Sequence, residues 1–302
     1  MDDLLALLAA NHGAMRHHEL LAGGVSRRTI ANALAAKLIE QPKRGWYALP
    51  SDTRSDAQVA RLIGGTLTCV TALRHHGLWV PRSPQGRHVR TPERTARAWP
   101  TDPLYSKYGP GTKLHRDSRK WRSPEATGGI DEPLTAVLAA AQCLTARDLV
   151  AVLESMLQGG CTLEQIGALG EQSTAGLRDA LSRVVGADSG NESLVRMRLQ
   201  QARIQATPRV RLGPWTVDLL IGDWLVIEVD GYAYHSDRAE FERDRLKDRE
   251  LVTRGYTVMR LATRDVESTW AASLEHIRQT MRAGWHRRPR PGAQPDYERE
   301  VD

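Results

Sequence analysis

Apolar and polar positions divide the 302-residue chain into stretches of different period. Near the start, Leu4, Leu5, Leu7 and Leu8 predict a short helix ended near Gly13. His17–Ala22 predicts a second, stopped by Gly23-Gly24. Ser26 suits an N-cap for a third helix over Arg27–Leu38, where Ile30, Leu34 and Leu38 recur at fourfold spacing as a core face. Arg27, Arg28 and Asn32 start on the other side, and Lys37 adds a charge at the far end. Gln41–Leu49, with Lys43, Arg44 and Gly45 at its centre, reads as a short hairpin. Helix, glycine turn, helix with a polar N-terminal face, then a basic hairpin is the order of a winged helix-turn-helix over residues 1–50. A three-helix adaptor that packs on a neighbour fits the same pattern.

The middle of the chain is patterned mainly for helices. Ala57–Gly77 reads as a helical segment, and its adjacent His75 and His76 point different ways on a helix, so they are read as structural or phosphate-facing. From Val80 to Gly129 Pro, Gly and Arg are frequent, with short strands at Gly86–Arg90 and Thr112–His115. Leu134–Leu144, Ala146–Leu157, Thr162–Leu169 and Leu177–Val185 read as helices, and Gly186–Gly190 as a linker. After a helix that opens near Asn191, a strand is expected at Ile204–Leu212, a helix at Arg238–Thr253, a strand at Tyr256–Leu261 and a closing helix at Val266–Met281.

One stretch breaks the ordinary pattern. Trp215–Ile221 and Trp224–Asp230 are rich in Val, Ile, Leu and Trp, the signature of paired buried strands. Three carboxylates interrupt them: Asp218, Glu228 and Asp230. Acidic groups are rarely placed in such strands without a counter-charge. Glu228 and Asp230 share one strand face, with Leu225, Ile227 and Val229 on the other. A three-residue turn at Ile221–Asp223 would put Asp218 opposite Val226, diagonal to Glu228 at about 7–8 Å. Both carboxylates could then reach one cation at about 2.1 Å per oxygen, which favours Mg²⁺ and also admits Mn²⁺. An exposed face on which the acids are simply solvated is the bland alternative.

Composition narrows the setting. A net charge of +6 and a pI near 9.4 permit nucleic-acid binding. Between Arg82 and Arg122 eleven Lys/Arg face three acids, among Trp99, Tyr105, Tyr108 and Trp121. Such a stretch can bind phosphates and stack on bases, or form a solvated basic face over a small aromatic core. The basic residues of the 238–253 helix likewise either track a phosphate backbone or pair with Glu242, Asp244, Asp248 and Glu250. Cys69, Cys143 and Cys161 are scattered, with no CxxC, so neither a disulfide framework nor a zinc site is expected. With no signal peptide and no run of roughly 18 apolar residues, a cytoplasmic protein without membrane contact is expected.

Asp218, nine residues, then Glu228-Val229-Asp230 resembles the metal site of the PD-(D/E)xK nuclease superfamily. The continuation Asp230-Gly231, His235, Arg243-Asp244 and Gly255-Tyr256-x-Val258-x-Arg260 is similar to the very-short-patch-repair endonuclease branch. The resemblance spans roughly residues 190–282. It implies a restriction-endonuclease-like α/β sheet domain in which Asp218, Glu228 and the Val229 carbonyl bind Mg²⁺. It further implies that His235 assists proton transfer, that Glu192 completes the site, and that Asp244 orients His235. Asp230 stands where the superfamily usually carries Lys, which leaves the general base to His235 or a metal-bound water. The run from Gly24 to Pro50 resembles the N-terminal domain of AbiEi-type antitoxins, and Thr71–Leu78 is similar to that family's middle region.

The expected fold is therefore α+β. It comprises a winged helix-turn-helix at 1–50, a mainly helical middle domain at 51–186, a nuclease domain at 187–283 and a disordered basic tail at 284–302. The expected activity is Mg²⁺-dependent hydrolysis of duplex DNA, with Arg27, Arg28, Asn32, Lys37, Lys43 and Arg44 on DNA and a homodimer as one admitted assembly. The alternatives are an inactive DNA-binding regulator of antitoxin type and an RNA-directed nuclease.

Overall fold

The computed structural model describes residues 1–51, 53–116, 129–184, 189–230, 238–287 and 299–300. The described chain is mixed α/β and divides into two compact units.

The first unit holds residues 1–77, 84–143 and 171–174. It opens with α1 (Asp2–Ala10), β1 (Ala14–Arg16), α2 (His17–Ala22), α3 (Arg27–Ala35), β2 (Glu40–Lys43) and β3 (Trp46–Ala48). The strands form an antiparallel sheet in the order β1-β3-β2. Ser26 caps α3 by accepting from the Thr29 amide, as its sequence position predicts. Ile30 and Ala33 are the buried positions of this helix. It stops at Ala35, so Leu38 falls past its end and is exposed, while Ile39 is buried instead.

The helical segment expected at Ala57–Gly77 is broken. It becomes α4 (Asp56–Leu62), β4 (Thr66–Leu67) and α5 (Cys69–His75). Gly64 takes φ +78°, a left-handed turn that a helix interior cannot contain. Then follow β5 (Arg87–Arg90), α6 (Glu93–Ala98), α7 (Pro103–Tyr108), β6 (Thr112–His115) and α8 (Pro133–Ala140). β5 lies between β4, antiparallel, and β6, parallel. The strands expected at Gly86–Arg90 and Thr112–His115 form as β5 and β6, and α6 and α7 add helix between them that the sequence reading does not anticipate.

Several of the middle region's basic residues pair with acids of the same unit. Arg87 pairs with Asp56, Arg90 with Asp131, and Arg97 and Arg116 with Glu93. Trp99 is buried, donates to the Ile63 carbonyl at 2.8 Å and stacks on Tyr105 at 4.5 Å. For these two rings the small-core alternative holds, and base stacking is ruled out for Trp99. Trp121 lies outside the described residues.

The second unit holds residues 78–83, 144–170 and 175–302. Its helices α9 (Ala146–Gln158), α10 (Leu163–Gly167) and α11 (Ala175–Leu181) precede α12 (Gly190–Gln201). A sheet follows: β7 (Ala206–Leu212), β8 (Trp215–Ile221), β9 (Leu225–Val229), then α13 (Arg238–Thr253) and β10 (Thr257–Leu261). α14 (Thr263–Glu267) and α15 (Trp270–Arg282) replace the single closing helix expected at Val266–Met281.

β7, β8 and β9 form an antiparallel meander, and β10 returns parallel to β9 after the α13 crossover. Both faces of the sheet are covered. Leu219, Ile221, Leu225, Ile227 and Val229 pack with Leu194, Val195 and Leu199 of α12 and with Val266 and Ile277. Leu220 and Val226 pack on the other face with Leu251 of α13 and Tyr256. Such burial is the main stabilising term at about 25 cal/mol per Å² of apolar surface.

Two parts of the region expected as a disordered tail carry structure. The His286 carbonyl accepts from the Asp223 and Trp224 amides at 2.8 and 3.2 Å. Gly222, at φ +60°, has no Cβ to collide with that carbonyl. Arg299–Glu300 forms β11, an antiparallel edge strand beside β7.

Candidate active site

The turn between β8 and β9 sets the site. It has three residues, as expected, but they are Gly222–Trp224 rather than Ile221–Asp223. The register pairs Leu219 with Ile227, Leu220 with Val226 and Ile221 with Leu225. Continued by one step, it sets Asp218 directly across from Glu228, not across from Val226. The reason is the His286 cap on the turn, which the local sequence does not reveal. Regular pairing stops at that step. The Asp218 carboxylate accepts from the Val229 amide at 2.7 Å instead, joining the two strands through a side chain.

Glu228 shares the parity of Val226 and meets Lys247 of α13, so it lies on the α13 face of the sheet, and Asp218 stands beside it where β8 leaves regular pairing with β9. Glu228 is 5% exposed, and its Oε1 is buried with no hydrogen-bond partner. Its Oε2 accepts from the Lys247 ammonium at 2.7 Å. Burial and then the Asp218 charge raise the Glu228 carboxyl from 4.5 to about 7, while Lys247 and Arg260 pull it back only in part. A buried carboxylate beside another, with one oxygen left orphaned, is a group in want of a cation.

Lys247 is a neighbour of the two acids that the linear motif does not mark. The lysine that the sequence resemblance leads one to expect would stand at position 230, on the strand; here the Lys247 ammonium reaches Glu228 from the crossover helix. A signal for it exists. Leu251 is the buried anchor of α13, and Asp248, Lys247 and Asp244 precede it by three, four and seven residues. That spacing turns all three toward the sheet.

The helix charges are thus not paired only along their own surface. Arg260 on β10 bonds Asp248 at 2.9 Å and Asp230 at 2.7 Å, with Asp244 at 3.8 Å. Burial works against the Arg260 charge, yet Asp248 and Asp230 outweigh it and raise its pKa. Asp230 is therefore held as an ion-pair partner at the pocket edge. Asp244 stands in the same cluster; His235, which it was expected to orient, lies outside the described residues.

Glu192 is buried in the first turn of α12, whose cap Ser189 accepts from the Glu192 amide at 3.2 Å. Asn191 beside it donates to Thr263 Oγ1, which donates to the Asp230 carbonyl. These bonds tie the start of α12 to the end of β9. In the first unit Arg27, Arg28, Asn32, Lys37, Lys43 and Arg44 are all exposed. Lys43 forms an ion pair with Asp102 at 2.5 Å.

Residues 192–281 match the REase_MTES_1575 family model, a restriction-endonuclease-like family. The second unit's C-terminal part is accordingly restriction-endonuclease-like, which points to a nuclease. Among solved structures, the catalytic domain of the homing endonuclease I-Bth0305I is 23% identical, covering 32% of this chain and 92% of its own, with a TM-score of 0.25. The RV2827C protein from Mycobacterium tuberculosis is 17% identical, covering 65% of this chain and 80% of its own, with a TM-score of 0.31. No curated protein matches the chain. No described helix is long and apolar enough to cross a membrane.

Proposed function

We propose that this chain is a divalent-cation-dependent endonuclease of duplex DNA. Its catalytic centre would be the Asp218–Glu228–Lys247 pocket, and residues 1–50 would act as a winged helix-turn-helix that positions it on DNA. One observation carries the reading: a buried Glu228 carboxylate, raised to about 7, with an orphaned Oε1 beside Asp218 and Lys247. The oxygen-only donor set fits a hard cation, Mg²⁺ or Mn²⁺ in its place, held by Asp218, Glu228 and the Val229 carbonyl. Once bound, the cation would neutralise charge developing on the scissile phosphate and lower the pKa of a coordinated water.

The chain's own groups do the rest. The Lys247 ammonium, paired with Glu228 at 2.7 Å, would orient the attacking water and face the phosphate. Glu192 completes the acidic set from the start of α12. Arg260 locks Asp230 and Asp244, so neither competes for the water. His235 takes the proton-transfer role, delivering a proton to the leaving oxygen. On α3, Arg27, Arg28 and Asn32 meet the groove, while Lys37 and Arg44 meet phosphates. Lys43 contributes less because Asp102 already neutralises it. A homodimer would bring two such centres to the two strands, and the cytoplasm is the compartment this reading assigns.

The rival, an inactive regulator of antitoxin type, drew its support from Asp230 standing where a lysine is usual. Lys247 beside Glu228 supplies that charge from the helix and weakens the rival. The test is nicking of supercoiled plasmid in Mg²⁺ or Mn²⁺ by the full chain and by Asp218→Ala. Nicking by the wild type alone is expected. Sequence-specific binding with no nicking in either cation would instead favour the regulator. A panel of duplex, single-stranded and mismatched DNA and RNA decides the substrate, with duplex DNA cut fastest.

A further inference from the structure

The first unit brings together four residues that nothing in their spacing connects: Cys69, His88, His115 and Cys143. One donor atom from each lies within 4.8 Å of every other. His88 Nδ1 and His115 Nε2 are 2.9 Å apart, and Cys143 Sγ is 3.8 and 3.6 Å from them. Two thiolates and two imidazoles around zinc, at about 2.3 and 2.0–2.1 Å, would show donor–donor edges of about 3.3–3.8 Å. The observed set needs only small shifts to meet those edges.

The environment fits a metal better than a polar core. Cys69 and His88 are fully buried and His115 nearly so. Each ligand comes from a different element: the first residue of α5, strand β5, its parallel neighbour β6, and the chain just after α8. Cys69 also sits at φ +55°, a left-handed conformation that costs a non-glycine residue energy. Such strain persists where the surroundings demand one side-chain direction, as a ligand clamp does. The cysteines are free thiols.

We propose that Cys69, His88, His115 and Cys143 bind one structural Zn²⁺. Two soft thiolates exclude Mg²⁺ as the natural occupant and, with two imidazoles in a tetrahedral set, select zinc. Four protein ligands leave no open position, so the ion is not catalytic. It staples two short parallel strands to α5 and the end of α8, and its binding energy becomes folding energy. The cysteine pattern gives no hint of this, because the ligands are spread from Cys69 to Cys143 with no paired motif.

The full chain, purified in reducing buffer without chelator, is assayed for metal by plasma mass spectrometry. About one zinc per chain is expected. Cobalt substitution should give the intense bands of a tetrahedral two-thiolate site. Cys143→Ser and His115→Gln should lose zinc to a competing chelator at least about tenfold more readily. Asp218→Ala should keep its full zinc content, which separates this site from the nuclease reading. Should the ligand variants fail to fold, the wild-type zinc content and cobalt spectrum still decide. A zinc-free wild type with no thiolate–cobalt bands, a Cys69–Cys143 disulfide in the reduced preparation, or loss of zinc in Asp218→Ala would each overturn the proposal.

Discussion

The Asp218–Glu228 pocket and the Cys69–His88–His115–Cys143 cluster are both candidate metal sites, and they are built on opposite principles. The pocket uses carboxylates, keeps an orphaned oxygen, and pairs its buried acid with a lysine. The cluster uses thiols and imidazoles and closes its donor set on itself. Hard oxygen donors suit a cation that also holds water and substrate oxygens; two thiolates and two imidazoles that fill a tetrahedral set suit structure. The contrast teaches that donor type alone separates the two kinds of metal site these residues could form.

The sharpest way to break the contrast is to remove one donor from each side. Asp218→Ala should lower plasmid nicking by about 10³-fold or more, measured as initial rate in saturating Mg²⁺, with folding and zinc content unchanged. Nicking at wild-type rate would dissolve the distinction.

A second difference lies in charge. Glu228 has a folded-state pKa of about 7, above its unfolded value of 4.5. Between those values the folded chain holds the extra proton. Stability therefore falls as pH rises through this window, and the penalty is complete above about pH 7. The whole loss amounts to about 3 kcal/mol at most. Denaturant titrations from pH 5 to pH 8 with magnesium omitted should show this slope in the wild type and a shallower one in Glu228→Gln. Equal slopes would mean that Glu228 does not carry the buried charge.

Lys247→Ala should reduce kcat by about 10²-fold with little change in the KM for DNA, because the ammonium acts on the water and not on duplex binding. A matching rise in KM would make Lys247 a binding residue. The smallest effect belongs to α3. Arg28→Ala should weaken duplex binding by about tenfold or less and reduce the salt slope by about one, read by fluorescence anisotropy at several salt concentrations.

How much was legible follows the same division. The pocket's acids sit within eleven residues of each other on two adjoining strands, so alternation alone assigned Glu228 and Asp230 to one face. Leu251, as the buried anchor of α13, also marks Lys247 in retrospect. Register is not legible: the turn falls one residue later than the sequence predicts, because its His286 cap comes from more than sixty positions away. The break between α4 and α5 was missed because Gly64-Gly65 was read through as helix. The four-ligand cluster was invisible, since its members meet only after β5 and β6 pair in parallel. Local chemistry reads out locally; long-range closure does not.

The most direct measurement is Mn²⁺ binding by the zinc-loaded full chain, followed by loss of the free-ion electron paramagnetic resonance signal. The account predicts that the wild type binds Mn²⁺, that Asp218→Asn and Glu228→Gln each weaken it severely, and that Cys143→Ser leaves it intact. Equal Mn²⁺ binding by the wild type and both carboxylate variants would contradict it.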